Sequence, residues 1–292
     1  MFTNTIMCPD RHNRGVNMIP GCKDPSDIEF KIPRWVRKQY ERDYCRTIER
    51  ISKGIVRREN EIVLKGTYSD EIADLLGVVL VINPLTYDLK HVTIKEIDDG
   101  TLLGLEFYED HSEEVRNKVM ELYYDIGIGS CKTDLEKEKA VNDYLVDHCV
   151  WDPSSEDRRS HTLLGVLLDS KGVCISFAHT TTVLLNCFGV ECHTVTGSTL
   201  ADSGEDYDMK CDPVLKAVVE QTSTDAFYNS PPLPHIGHAW NYINIDGRYR
   251  HLDVTFNCSK KRKTGPTSIH GYFNLTTDEI MDERRIRIGP CE

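Results

Sequence analysis

The chain has 292 residues, of which 39% are hydrophobic and 28% are charged, and this composition is typical of a soluble globular protein. Its formal net charge of −12 argues against nucleic acid as the main partner, because binding phosphates requires a basic surface. No apolar run reaches the roughly 18 residues of a membrane span, so we expect no membrane contact. The first residues lack the pattern of a secretory signal, so we expect a cytoplasmic protein, or a secreted one if a leader precedes these residues.

The elements predicted along the first third of the chain form an arm and a small unit. Residues 1–33 contain several prolines and glycines without a sustained period, which predicts an irregular N-terminal arm. Residues 34–110 predict a small α/β N-terminal unit. Its expected elements are a helix from Trp35 to about Gly54, a strand over 61–66, a helix from Ser69 to Asn83, and a β-hairpin of residues 87–97 and 101–108.

A third region, residues 111–292, begins with predicted helices. One runs from Ser112 to Gly127, and the next starts at Thr133 and Glu136, which have the spacing of a capping box. The following expected elements are a short helix over 161–168, a helix from Cys174 to Gly189 and a strand over 190–197. Residues 201–237 are polar at first, then show a short helical pattern over 214–219 and a proline-rich stretch over 231–234. A long stretch of this kind just before a catalytic candidate favours a lid or specificity loop.

Cys174 is expected at the first turn of its helix, directly after Gly172 and Val173. The backbone N–H groups and the dipole of a helix start favour negative charge, so a thiol placed there has a lowered pKa. The same N–H groups can hold an oxyanion during acyl transfer. A lone cysteine is more often an ordinary buried residue, so this position alone does not identify a nucleophile.

A second hairpin places a histidine beside an aspartate. Residues 239–245 and 248–256 predict two strands joined by the turn dipeptide Asp246-Gly247. In this register Trp240 lies opposite Asp253, and His238 is a diagonal neighbour of Asp253 on the same face, within reach of a hydrogen bond. Asp253 can then orient His238 as the base for a thiol. The alternative is an ordinary hydrogen-bonded pair without a catalytic role.

Several motifs together resemble the transglutaminase-like superfamily over about residues 112–281. They are Gly172-Val173-Cys174 with Phe177-Ala178, His238-Ala239-Trp240-Asn241, His251-Leu252-Asp253-Val254-Thr255-Phe256, and Tyr272-Phe273-Asn274-Leu275. The preceding α/β unit is similar to the N-terminal region of bacterial members. The resemblance implies a papain-like α+β fold, in which a nucleophile helix packs against an antiparallel sheet that holds the histidine and the aspartate.

These residues and the resemblance predict a cysteine enzyme with the catalytic triad Cys174, His238 and Asp253. The thiolate would attack an amide of a peptide or protein substrate and form a thioester, which an amine or water then resolves. Cross-linking, deamidation and hydrolysis all remain open, and we favour hydrolysis because the bacterial members that the chain resembles are more often protease-like. Residues that are candidates for the substrate pocket, or else for packing, are Trp240, His161 and Trp151.

Two other classes of protein remain as alternatives. One is a non-catalytic protein-binding module that retains the transglutaminase-like fold. The other is a metal-binding regulator, which the 11 cysteines and 11 histidines suggest. Zinc sites use close pairs of ligands, and the nearest approaches, Cys187 with Cys192-His193 and His235 with His238, have no matching second half. We therefore expect no metal and no other cofactor, and reduced cysteines in a chain without a signal peptide.

Overall fold

The structure is a computed structural model, and it describes residues 19–28, 31–66, 69–199, 238–264, 269–284 and 286–288. The predictions for most of the N-terminal arm and for the insertion at 201–237 lie outside these residues.

The first unit packs helices against a three-stranded antiparallel sheet. Its described helices are α1 (Arg34–Gln39), α2 (Arg42–Val56) and α3 (Ser69–Ile82), and its strands are β1 (Glu61–Lys65), β2 (Leu89–Ile97) and β3 (Gly100–Phe107). The strand order is β1-β3-β2, and both neighbouring pairs are antiparallel. The predicted hairpin of β2 and β3 is therefore confirmed.

The prediction of one helix from Trp35 to Gly54 is wrong at two points. Tyr40 is extended, with φ −114° and ψ 142°, and it ends α1 before α2 begins. Gly54 does not stop α2, which continues to Val56. A Cβ at Gly54 would lie 2.2 Å from Cδ1 of Ile62, so the glycine allows α2 to approach β1 closely.

The second part of the chain combines helices with a four-stranded antiparallel sheet. Its described helices are α4 (Ser112–Asp125), α5 (Asp134–His148), α6 (Leu163–Asp169), α7 (Cys174–Cys187), α8 (Val254–Thr264) and α9 (Thr277–Arg284). Its described strands are β4 (Val150–Trp151), β5 (Lys171–Gly172), β6 (Cys192–Thr199), β7 (His238–Ile245), β8 (Arg248–Leu252) and β9 (Ile286–Ile288). The strand order in the sheet is β8-β7-β6-β9, and the short strands β4 and β5 form a separate parallel pair.

Helix α7 packs on β6 and β7, so a helix that begins at Cys174 lies against the antiparallel sheet. The predicted α+β class is therefore confirmed. The capping box of Thr133 and Glu136 is present at the start of α5, as the sequence predicted. Among the helices that the structure describes, none combines the length and the apolar character that crossing a bilayer would require.

The prediction that the second hairpin strand reaches Phe256 is wrong, because β8 ends at Leu252 and α8 begins at Val254. Asp253 Oδ1 accepts a hydrogen bond of 2.9 Å from the Phe256 N–H, which is the geometry of a helix cap. An aspartate that caps a helix competes with continuation of a strand. Asp253 therefore lies at the junction between a strand and a helix.

Both faces of the four-stranded sheet are buried. Ile243 and Leu252 belong to one apolar cluster, which also includes residues of α4 to α7. Trp240 belongs to a second cluster, which is made mainly by the first unit. The β7–β8 hairpin is therefore buried on the face of Ile243 and Leu252 and also on the face of Trp240.

Candidate active site

Cys174 is the first residue of α7, and Val173 is the residue that precedes the helix. The first backbone hydrogen bonds of the helix are donated by Ser176 (3.1 Å) and Phe177 (3.3 Å) to the carbonyl of Val173. The N–H groups of Cys174 and Ile175 therefore come before the first intrahelical bond. Such groups, together with the helix dipole, favour negative charge on a thiol or on a substrate oxygen.

The turn before α7 is tightly packed. Val173 N–H donates to the carbonyl of Ser160 at 3.0 Å. Ser176 Oγ accepts from the Val166 N–H at 2.9 Å. A Cβ on Gly172 would lie 2.7 Å from the Ser176 side chain and 3.0 Å from the Ser160 carbonyl oxygen. Only glycine fits at position 172 without displacement of the chain that leads into the helix.

His238 and Asp253 form a buried pair. His238 Nε2 lies 2.7 Å from Asp253 Oδ2, and the two residues are 6% and 0% exposed. Because an ionised carboxylate only accepts hydrogen bonds, Nε2 of the imidazole is the donor. The other ring nitrogen, Nδ1, then serves the hydrogen bond between His238 and Cys174.

The surroundings of His238 shift its pKa strongly. Burial lowers this pKa, but the charge of Asp253, its hydrogen bond, and the hydrogen bond and charge of Cys174 together raise it to about 10. A raised pKa favours the protonated ring, and an imidazolium beside a thiol favours the thiolate form of that thiol. The structure thus brings together the three residues of the predicted triad, in the order Cys174, His238, Asp253.

Asn241, for which no role was predicted, connects the strand of His238 to the helix of Cys174. Its Nδ2 donates to the carbonyl of Ala178 at 2.8 Å and to Thr182 Oγ1 at 3.0 Å. Thr182 also shares a 2.9 Å hydrogen bond with Thr194 of β6. The motif that contains Asn241 was visible in the sequence, but its partners in α7 lie about 60 residues away and depend on tertiary packing.

Two aromatic rings pack on the His238 imidazole. The Phe256 ring centroid is 4.4 Å from that of His238, and the Trp240 ring is nearly parallel to it at 6.0 Å. Phe256 lies in the first turn of α8, and this turn brings its ring to His238. Trp240 is 1% exposed, and its Nε1 donates to His251 Nδ1 at 3.0 Å.

The two upstream pocket candidates lie near the entry to α7. Trp151 pairs with Gly172 between β4 and β5 and is half-buried. His161 is 8% exposed, and its Nε2 lies 2.9 Å from the carbonyl oxygen of Ser155. Roles for these residues and for Trp240 in a substrate pocket stay predictions.

Seven other cysteines of the described residues lie in surroundings that keep the thiol protonated. Burial is the main cause in each case, and it raises the pKa of Cys22 to about 11 and that of Cys149 and Cys258 to about 12. The pKa is also raised for Cys45, Cys131, Cys187 and Cys192. In the same part of the chain, no three His, Cys, Asp or Glu side chains converge as metal ligands.

In a comparison with protein families, residues 124–254, which include Cys174, His238 and Asp253, match a family model. The matching family is the transglutaminase-like superfamily. Residues 124–254 of this chain are similar to the transglutaminase-like superfamily. The resemblance that the sequence motifs indicated is therefore confirmed.

The solved structures that are similar to this chain share little sequence identity with it. One described as a TGase is 15% identical, with 67% of this chain and 50% of that chain covered and a TM-score of 0.34. A "putative protease" from Parabacteroides distasonis ATCC 8503 is 14% identical, with 54% and 29% covered and a TM-score of 0.29. A "putative cysteine protease" from Cytophaga hutchinsonii is 11% identical, with 56% and 61% covered and a TM-score of 0.30.

This chain spans about half the length of the first of these structures and less than two thirds of the length of the other two. A search of curated proteins finds no match.

Proposed function

We propose that this chain is a cysteine hydrolase that cleaves amide bonds of peptides or proteins through a thioester on Cys174. The observation that supports the proposal is the buried contact between His238 and Asp253, with Cys174 hydrogen-bonded to the same imidazole at the start of a helix. A nucleophile, a base and a group that orients the base are the parts that covalent acyl transfer requires.

The chemistry follows from these positions. The Cys174 thiolate attacks the carbonyl carbon, and the N–H groups of Cys174 and Ile175 donate to the oxyanion that develops. The His238 imidazolium gives its proton to the leaving amine, the C–N bond breaks, and a thioester remains. Water then gives a proton to His238 and attacks the thioester, which releases a carboxylic acid and restores the ion pair.

The same thioester would serve hydrolysis or transfer to an amine. Water reaches the site without a binding surface of its own, whereas an amine acceptor requires a second subsite. Hydrolysis is therefore the simpler proposal, and acyl transfer is the outcome that a test with added amines would reveal.

The direct test compares turnover of a peptide library by the native chain and by Cys174→Ala. Because the substitution removes the nucleophile, we expect complete loss of product, with an unchanged circular dichroism spectrum. Cys131→Ala is the matched control, since Cys131 is also half-buried and its pKa is raised by burial.

Turnover that survives Cys174→Ala would contradict the proposal. An intact fold that binds peptides without any turnover, in the native chain as in the variant, would favour the non-catalytic binding module. A stoichiometric metal in the purified protein would favour the metal-binding regulator.

A further inference from the structure

Two buried asparagines connect helices α5 and α8 to one turn of the chain. Asn142 of α5 and Asn257 of α8 are both 0% exposed, and Asn257 Nδ2 donates to Asn142 Oδ1 at 2.8 Å. Asn142 Nδ2 donates to the carbonyl of Ile269 at 3.2 Å. Asn257 Oδ1 accepts from the Tyr272 N–H at 2.9 Å. The pair therefore holds the turn at both Ile269 and Tyr272.

The same turn reaches Asp253. The Asp253 N–H donates to the carbonyl of Tyr272 at 2.9 Å, and the Asn257 N–H donates to the carbonyl of Asp253 at 3.1 Å. The Asp253 Oδ1 is fixed by the Phe256 N–H. With its backbone and one carboxylate oxygen held in this way, Asp253 presents its second oxygen to His238.

We propose that Asn257, supported by Asn142, is a positioning residue that aims the Asp253 carboxylate at His238. The inference rests on the proposed function, in which this carboxylate orients the base. Neither amide contacts the reacting atoms, so both act through Asp253 and the Tyr272 backbone.

The amide pair fixes the direction of the groups that it joins. Burying two amides costs free energy unless each is hydrogen-bonded, and a pair of leucines would fill the same space with no such cost. A chain of hydrogen bonds, unlike apolar packing, fixes the angle of each group it joins. Small displacements of a catalytic group lower rates strongly, and a shift of about 1 Å can cost about 100-fold.

The test measures the pKa of the His238 ring by NMR in the native chain and in Asn257→Leu. We expect the substitution to lower this pKa by about one pH unit or more, because the opposite charge that raises it is no longer held in place. Turnover of a peptide substrate is expected to fall about 10–100-fold in kcat with little change in KM. Leu145→Ala on α5 is the control, since this residue is 1% exposed and outside the chain of amides. It is expected to lower Tm without moving the His238 pKa.

A second variant keeps the inference testable if the first one does not fold. Asn142→Ala is the milder variant in case Asn257→Leu does not fold, and it is expected to lower the His238 pKa by a smaller amount. A His238 pKa that is unchanged in the folded Asn257→Leu or Asn142→Ala protein would overturn the inference. The NMR readout needs no turnover, so this failure differs from survival of activity in Cys174→Ala, which concerns the proposed function itself.

Discussion

Two buried histidines on neighbouring strands of the same sheet have opposite pKa shifts. For His238, burial is outweighed by Asp253 and Cys174, and the pKa rises to about 10. For His251, burial alone lowers the pKa to about 4, and the ring accepts from Trp240 Nε1. Both rings are buried, so the neighbouring carboxylate and thiol, rather than burial, account for the opposite directions of the two pKa shifts.

The raised pKa of His238 predicts how the stability of its pair with Asp253 depends on pH. A folded-state pKa of about 10 against an ordinary value of 6.5 contributes stability that is fully present below pH 6.5 and is lost as the pH rises through about 10. Asp253→Asn removes the opposite charge, and breaking a buried pair of this kind costs about 3–5 kcal/mol. Urea unfolding of both proteins over this pH range is expected to give a difference that shrinks with rising pH.

A difference in unfolding free energy that stays constant from neutral pH to above pH 10 would contradict this prediction. Asp147→Asn is a suitable control, because Asp147 forms an exposed ion pair with Lys261. Exposed pairs contribute about 0–1 kcal/mol, so this control is expected to change the unfolding free energy little.

At the scale of elements, the sequence predicted best where a local signal marks the boundary. The capping box of Thr133 and Glu136 gave the start of α5 correctly. Val254 to Phe256 alternate like a strand, and the sequence offered no reason to prefer the helix that Asp253 caps. Asp253 was nevertheless placed beside His238, because the register of β7 and β8 is the one that the turn predicted.

The turn that delivers Cys174 gives a prediction about Gly172. Gly172→Ala puts a Cβ 2.7 Å from Ser176, so the chain before α7 must move, at a cost of about 1–3 kcal/mol. Denaturant unfolding is expected to show this loss, and iodoacetamide is expected to label Cys174 more slowly. At Gly129 the nearest atom would be 3.4 Å away, so Gly129→Ala is the control. Equal effects of the two substitutions would contradict the account.

At the scale of the whole molecule, the first unit and the transglutaminase-like core share buried contacts. Trp240, Val195 and Ile280 belong to the apolar cluster of the first unit. His179 Nε2 lies 3.0 Å from the carbonyl oxygen of Val81. The predicted boundary near residue 110 therefore crosses a packed interface, and the division into separate domains stays a prediction.

These contacts predict that residues 111–292 are less stable alone than in the full chain. Removal of the first unit would expose Trp240, which is 1% exposed in the full chain, and exposed apolar area costs about 25 cal/mol per Å². Thermal unfolding with a dye for apolar surface is expected to show a lower Tm and stronger dye binding for the fragment. An identical Tm for fragment and full chain would instead support two independent domains.

The sequence also could not predict the contacts that support the site over long distances. Asn142 and Asn257 are 115 residues apart. Each is one of several polar residues on its helix, and no sequence pattern distinguishes it from the others. Only packing of α5 against α8 brings them together. The triad was predictable because its residues lie in recognisable motifs, whereas these supports have no local pattern.

The rate at which iodoacetamide alkylates each cysteine at neutral pH tests the central claim most directly. Peptide mapping by mass spectrometry resolves the sites, and we expect Cys174 to react at least about tenfold faster than the seven cysteines whose pKa is raised by burial. His238→Ala is expected to remove this advantage, because the thiolate loses its imidazolium. Labelling of Cys174 at the rate of the other seven, or a rate unaffected by His238→Ala, would contradict the account.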